Sequence, residues 1–114
     1  MNRTKGAFGE NIAKNYLESL GMKVLCLNWT CHWGELDIIA KEGIVLVFVE
    51  VKYRTSLKYG QPYEALTYKK RANLQRSINF YLTKQHVQMW RLDFISITKL
   101  QGNYKILYYP SFPL

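Results

Sequence analysis

The segment LVFVEVKYR sets Glu50 and Lys52 two residues apart at the end of an unbroken apolar run from Ile44 to Val49. In an extended strand alternate side chains share a face, so this acid and base leave together from a stretch otherwise built for a core. Upstream, GELDIIAKE carries Glu35 and Asp37 with the same spacing. If Glu42 and Gly43 form a two-residue hairpin loop, Lys41 pairs with Ile44, Asp37 lies opposite Phe48, and Glu35 lies opposite Glu50. All four charged side chains then project from one side of the hairpin, while Leu36, Ile38, Val47, Val49 and Val51 fill the other. A one-residue slip would separate Asp37 from Glu50, so the cluster depends on that parity.

Like charges facing each other on a sheet are destabilising, and here Lys52 is the nearby counter-charge to three carboxylates. A bound divalent cation would relieve the conflict, and oxygen ligands of this type suit Mg²⁺ or Mn²⁺ rather than zinc. Such an ion holds a phosphodiester, polarises its phosphoryl oxygen and acidifies a bound water, while Lys52 stabilises developing charge. The main-chain carbonyl of Val51 is a further candidate ligand. Taken alone, the E-x-K spacing is equally that of ordinary surface ion pairs, which contribute little.

Elements must position these groups. Phe8, Ile12, Tyr16 and Leu20 recur at helical spacing, Ala13 and Leu17 widen the stripe, and Gly21 suits its end, which predicts a first helix over 7–20. Glu10 falls at the border of that apolar face, within reach of the rim of the sheet or in solvent near the helix start. MKVLCLNWTC and the two arms of the hairpin predict three strands. TSLKYGQPYE reads as a loop, a second helix is expected from about Tyr63 to Lys84, and RLDFISITKL and YKILYYP read as closing strands joined near QGN. The expected architecture is α/β, a mixed sheet flanked by helices in the order α-β-β-β-α-β-β. The apolar Ile44–Val49 strand should be central and covered on both faces.

Within the second helix, Tyr63, Lys70, Leu74, Ser77 and Tyr81 share a stripe, so Lys70 is placed toward the sheet, either aimed at a phosphate or snorkelling. Lys69, Arg71 and Arg76 occupy other sides and supply general phosphate attraction. In the loop KYRTSLKYGQ, Arg54, Thr55 and Lys58 are candidates for gripping a sugar-phosphate backbone. Trp29, His32 and Trp33 either flank a substrate cleft or pack the sheet edge. Asp93 is assigned a structural role with Arg91, Ser96 and Thr98 as its prospective partners.

The composition agrees with a polyanionic partner. Sixteen Lys and Arg against eight Asp and Glu give a net charge of +8, which makes nucleic acid, DNA with RNA also open, the first candidate partner and a membrane surface the competing one. With 114 residues, 48% of them hydrophobic, the chain is expected to form one domain spanning 1–114. Its N-terminal residues MNRTKGAFGE contain no apolar leader segment and its apolar runs fall short of the roughly 20 residues of a spanning helix, so a cytoplasmic protein with no membrane partner is expected. Cys26 and Cys31 are then read as free thiols.

The stretches GAFGENIAKNYLESLG, NWTCHWGELDIIAKEGIVLVFVEVKYR, YGQPYEAL, KKRANLQRSINFYL and RLDFISI, in this order and spacing, resemble the YraN-type family of small bacterial proteins, related to the PD-(D/E)XK nucleases. The resemblance covers nearly the whole chain. It implies a restriction-endonuclease-like core, similar in layout to archaeal Holliday-junction resolvases. Asp37, Glu50 and Lys52 stand at the D…E-x-K positions, and Glu10 at the first-helix glutamate; in those relatives the acids bind metal and the lysine assists hydrolysis. Leu36 replaces the proline of the motif. The function expected is therefore a Mg²⁺- or Mn²⁺-dependent endodeoxyribonuclease acting on branched or structured DNA. Its catalytic residues would be Asp37, Glu50 and Lys52, its metal ligands Glu10, Asp37, Glu50 and Val51, and its nucleic-acid contacts Arg54, Thr55, Lys58 and Lys70. The alternatives are a nucleic-acid-binding module that keeps the fold without turnover, and a protein-interaction adaptor. An exposed edge strand would allow a homodimer.

Overall fold

The computed structural model describes residues 3–55 and 66–114, with side chains from Phe8 onward. Its elements run α1 (Arg3–Ser19), β1 (Lys23–Cys31), β2 (Gly34–Glu42), β3 (Val45–Arg54), α2 (Tyr68–Leu82), β4 (Met89–Leu100) and β5 (Asn103–Tyr109). The expected α/β order is the one observed. The five strands lie in sequence order, antiparallel except for the parallel pair β3 and β4, and α2 makes the crossover between these two.

Strand β3 is central, and its lack of alternation has the expected cause: both faces are covered. Val47 and Val49 join Ile38, Ala40, Ile95 and Ile97 beneath Ala13 and Leu17 of α1. Leu46 and Phe48 join Leu36, Ile39 and Leu92 beneath Leu74 and Ile78 of α2. A strand buried on both sides gains apolar burial from every residue, which is why the run tolerates no polar position until Glu50.

The middle of the α1 face differs from the expected stripe. Ala13 and Leu17 are fully buried, whereas Phe8 and Leu20, at the ends of the stripe, are each 46% exposed. The centre runs instead through Gly9, Ala13 and Leu17, because Gly9 lets the helix approach β3 closely: a Cβ built on it would lie 2.9 Å from Cβ of Tyr53. Close approach by a small residue draws the neighbouring Glu10 inward, to 5% exposure. Gly21, at φ 93°, ends the helix as expected, with Met22 N–H donating to Leu17 O and Gly21 N–H to Glu18 O in a Schellman arrangement.

Three boundaries are corrected. The β2–β3 loop is Gly43–Ile44, not Glu42–Gly43, since Glu42 pairs with Val45 and Lys41 with Leu46. Gly43 takes the first loop position at φ 60°, where a glycine suits the twist of a hairpin, and Ile44 is left 66% exposed. The pairing thus differs by two residues from the expected one, which preserves face parity and leaves the acid cluster intact. Helix α2 begins at Tyr68 rather than near Tyr63: Thr67 is extended (φ −68°, ψ 165°) and its hydroxyl accepts the Lys70 N–H, so the threonine caps the helix. Leu36 packs on the α2 side with Ile39, not with Ile38, because regular β2–β3 pairing stops at Ile38 and Val49 and the end of β2 no longer follows the pleat of β3.

Candidate active site

Where the β2–β3 ladder stops, Asp37 takes over from the backbone: its Oδ2 accepts the N–H of Val51 at 2.9 Å. The gap between the strands opens into a cleft of about 430 Å³. Glu35, Asp37, Glu50 and Lys52 all line it, and Lys70 of α2 forms the facing wall with Asn73, Leu74 and Ser77. Glu10 reaches the same cleft from α1 on the other side of the sheet. Four of the chain's eight acidic residues, Glu10, Glu35, Asp37 and Glu50, therefore converge on one cavity of a protein with net charge +8.

The electrostatics follow from burial. The Glu50 carboxyl is raised well above the usual glutamate range, first by desolvation, then by its hydrogen bond to Asp37 and by the charge of Asp37, with Glu35 adding a little and Lys70 opposing. Glu50 as a residue is only half-buried, opening on the cleft, yet its carboxyl end is enclosed; the enclosure governs its protonation. Enclosure and the neighbouring Asp37 carboxyl both favour the protonated form of Glu50. Lys52 is lowered from the usual lysine range, chiefly by desolvation and then by Lys70 and Arg54, against the pull of Glu50 and Asp37.

The remaining expected residues divide. Val51 lines the cleft, and the contact it makes there is through its amide to Asp37. Arg54 ends β3, half-buried and close enough to act on Lys52, but does not line the cleft; Thr55 is exposed beyond the strand and does not line it either. Lys58 lies outside the described residues. Cys26 and Cys31 are free thiols. Trp29 packs edge-on against Tyr81, away from the cleft, whereas Trp33 lines it. Arg76 is not general solubilising charge: its guanidinium lies over the Trp33 ring, 5.3 Å from the centroid.

Asp93 is structural; of its expected partners Arg91 is one, and Ser96 and Thr98 are not. It is fully buried, accepts from Arg91 Nε at 2.9 Å and Nη2 at 3.2 Å, from the Tyr108 hydroxyl, and from the Ser111 N–H at 2.8 Å. Ser96 and Thr98 leave β4 on its other face. Burial and the Asp93 bond push the Tyr108 phenol up to about 12. Gly34, Tyr53 and Asn73 are the cleft residues that sequence reasoning missed; for Asn73 its position three residues after Lys70 on the helix was the available signal.

The profile of the uncharacterised protein family UPF0102 matches residues 9–97, which takes in α1 from Gly9 onward, β1, the whole β2–β3 hairpin, α2 and most of β4. This chain belongs to the UPF0102 family. A UPF0102 protein of Beutenbergia cavernae is 43% identical over 99 residues, covering 85% of this chain and 84% of the relative. One of Caldicellulosiruptor saccharolyticus is 42% identical over 97 residues (83% and 82%), and one of Clostridium botulinum 37% identical over 110 residues (92% and 89%). The YraN-type resemblance is thereby shown. Among the described residues, no helix of this UPF0102 protein is long and apolar enough to cross a membrane.

Proposed function

We propose that this UPF0102 protein is a metal-dependent endonuclease that hydrolyses phosphodiester bonds of branched or structured DNA. The observation that carries the reading is the Asp37–Glu50 pair: two acids brought together at the end of the β2–β3 ladder, with the Glu50 carboxyl enclosed and pushed well above the usual glutamate range, inside a cleft of a strongly basic chain. Nothing in stability explains such a pair, since like charges facing each other across strands are a cost.

The donor set fits a hard cation. Asp37 and Glu50 offer oxygen ligands, Glu10 stands on the same cleft, and Mg²⁺ characteristically binds through one or two carboxylates with waters and substrate phosphates completing its shell. When bound, Mg²⁺ or Mn²⁺ would polarise the phosphoryl group and acidify a water. The chain's own residues do the rest. The Val51 amide fixes the rotamer of Asp37. Lys52, its ammonium form disfavoured by burial, stands beside the pair to stabilise developing negative charge or take up a proton. Lys70, on the opposite wall, offers a cation to a phosphate oxygen.

A second reading, a DNA-binding module without turnover, is favoured by one observation: among the described residues, no group of three or more His, Cys, Asp or Glu is disposed as a finished metal cage. The test separates the two. Labelled single-stranded, duplex and four-way-junction DNA are incubated with Mg²⁺ or Mn²⁺ and wild type, Glu50→Ala or Lys52→Ala. The nuclease reading expects cleavage by wild type alone. Binding by all three proteins without cleavage by any would establish the module instead.

A further inference from the structure

The turn between β1 and β2 consists of two residues, His32 and Trp33, since Cys31 pairs directly with Gly34. Such turns favour Gly, Asn, Asp and Ser, because small or polar side chains satisfy the backbone at no hydrophobic cost. Here both positions are aromatic and both are exposed, Trp33 at 43%. The tip is held against α2. The Cys31 thiol lies 3.6 Å from the Ser77 hydroxyl, and the backbone at Gly34, at φ 144°, approaches the same hydroxyl closely enough that a Cβ there would lie 3.8 Å from it. His32 meets the Trp33 ring edge-on at 5.0 Å, and the Arg76 guanidinium covers one of its faces. The indole is thus fixed in orientation, open to solvent, and lines the cleft that holds Asp37 and Glu50. Trp29, on the same hairpin, is spent on packing against Tyr81 and Phe80, so the exposure of Trp33 is not a general property of the hairpin.

We propose that Trp33 is a base-stacking platform, braced by Arg76, which selects DNA carrying an unpaired base next to the phosphate held in the cleft. This rests on the nuclease or DNA-binding reading of the site and adds to it the substrate class: a junction between paired and unpaired strand rather than continuous duplex. A base within a duplex already stacks on its neighbours and has no free face for the indole, whereas an unpaired base gains a partner. The buttressing by Arg76, Ser77 and His32 removes the cost of ordering the ring at the moment of binding.

The test reads affinity, not cleavage. Fluorescence anisotropy without divalent cation compares a blunt duplex with the same duplex carrying a single-stranded extension, for wild type, Trp33→Ala and Trp33→Phe. Wild type is expected to prefer the extended DNA by about tenfold, Trp33→Ala to bring the ratio near one, and Trp33→Phe to keep most of it. With 2-aminopurine as the first unpaired base, binding of wild type should change its emission through stacking, a readout that needs no variant. A wild type that binds both DNAs equally, an unchanged ratio in Trp33→Ala, or unaltered 2-aminopurine emission overturns the platform and leaves the nuclease reading standing. A wild type that binds neither DNA overturns both.

Discussion

Gly9 is where the fold and the site are most tightly joined, and replacing it with alanine has a sign that the geometry decides. In an exposed helix interior Gly→Ala stabilises by about 1 kcal/mol, because alanine loses less backbone entropy. Here the added methyl would stand 2.9 Å from Cβ of Tyr53, inside the 3.4–4 Å of ordinary contact. The obstructing atom is next to the β3 backbone, not at the end of a flexible side chain, so relief requires α1 to move away from the sheet. Overpacking of this kind costs about 1–3 kcal/mol. After the propensity gain, a net loss of up to about 2 kcal/mol remains, with a fall in Tm of roughly 4–8 °C per kcal/mol for a chain near this size. Thermal unfolding followed by circular dichroism measures it. A second variant localises the cause: in a Tyr53→Gly background, Gly9→Ala should become neutral or stabilising, a coupling that only a direct contact produces. Because Glu10 follows Gly9 and Lys52 precedes Tyr53, the single variant should also lower any activity of the cleft. A Gly9→Ala protein that melts above wild type by the several degrees that the propensity gain alone would give would refute the close packing of α1 on β3.

Glu50→Gln should raise thermal stability at neutral pH: the folded state holds the Glu50 proton above the usual range, so the favourable contribution is complete in acid, is lost as pH rises through the folded value, and is spared in the amide. Melting curves from about pH 4 to about pH 8 should show the two proteins converging on the acid side. Asp93→Ala removes a fully buried acid but leaves Arg91 partly exposed and still paired with Glu42, so the loss should sit near the lower end of the range for breaking a buried pair, about 3 kcal/mol by urea denaturation. Lys52→Arg should not restore the activity lost in Lys52→Ala, measured as initial cleavage rates, since a guanidinium keeps the proton that burial loosens from the lysine.

Much of the site was legible because strand parity is a strong constraint. A shift of two residues in the hairpin pairing moved the turn from Glu42–Gly43 to Gly43–Ile44 and kept the parity of the ladder as far as Ile38 and Val49, and beyond it Asp37 stays at the site through its bond to the Val51 N–H. Local signals fixed other points: Gly21 at the end of α1 needs only a residue that tolerates positive φ. The failures were tertiary. Thr67 shortened α2 because a hydroxyl that caps a helix is indistinguishable, in sequence, from one carried inside it. The burial of Glu10 depends on how near Gly9 lets the helix come, which periodicity does not record. The further partners of Asp93, Tyr108 and the Ser111 N–H, come from β5 and the chain beyond it, and the position of Arg76 over Trp33 joins a helix to a turn more than 40 residues away in sequence.

The central claim is that Asp37 and Glu50 together hold a hard cation, which displaces the proton that enclosure favours on Glu50, and calorimetric titration with Mn²⁺ tests it most directly. Carried out at neutral pH in two buffers of different ionisation enthalpy, it reports both binding and the protons released. The account predicts that wild type binds the ion with release of a proton, and that Glu50→Gln binds more weakly and releases none. An ion that binds wild type and Glu50→Gln alike, or does not bind wild type at all, would contradict it.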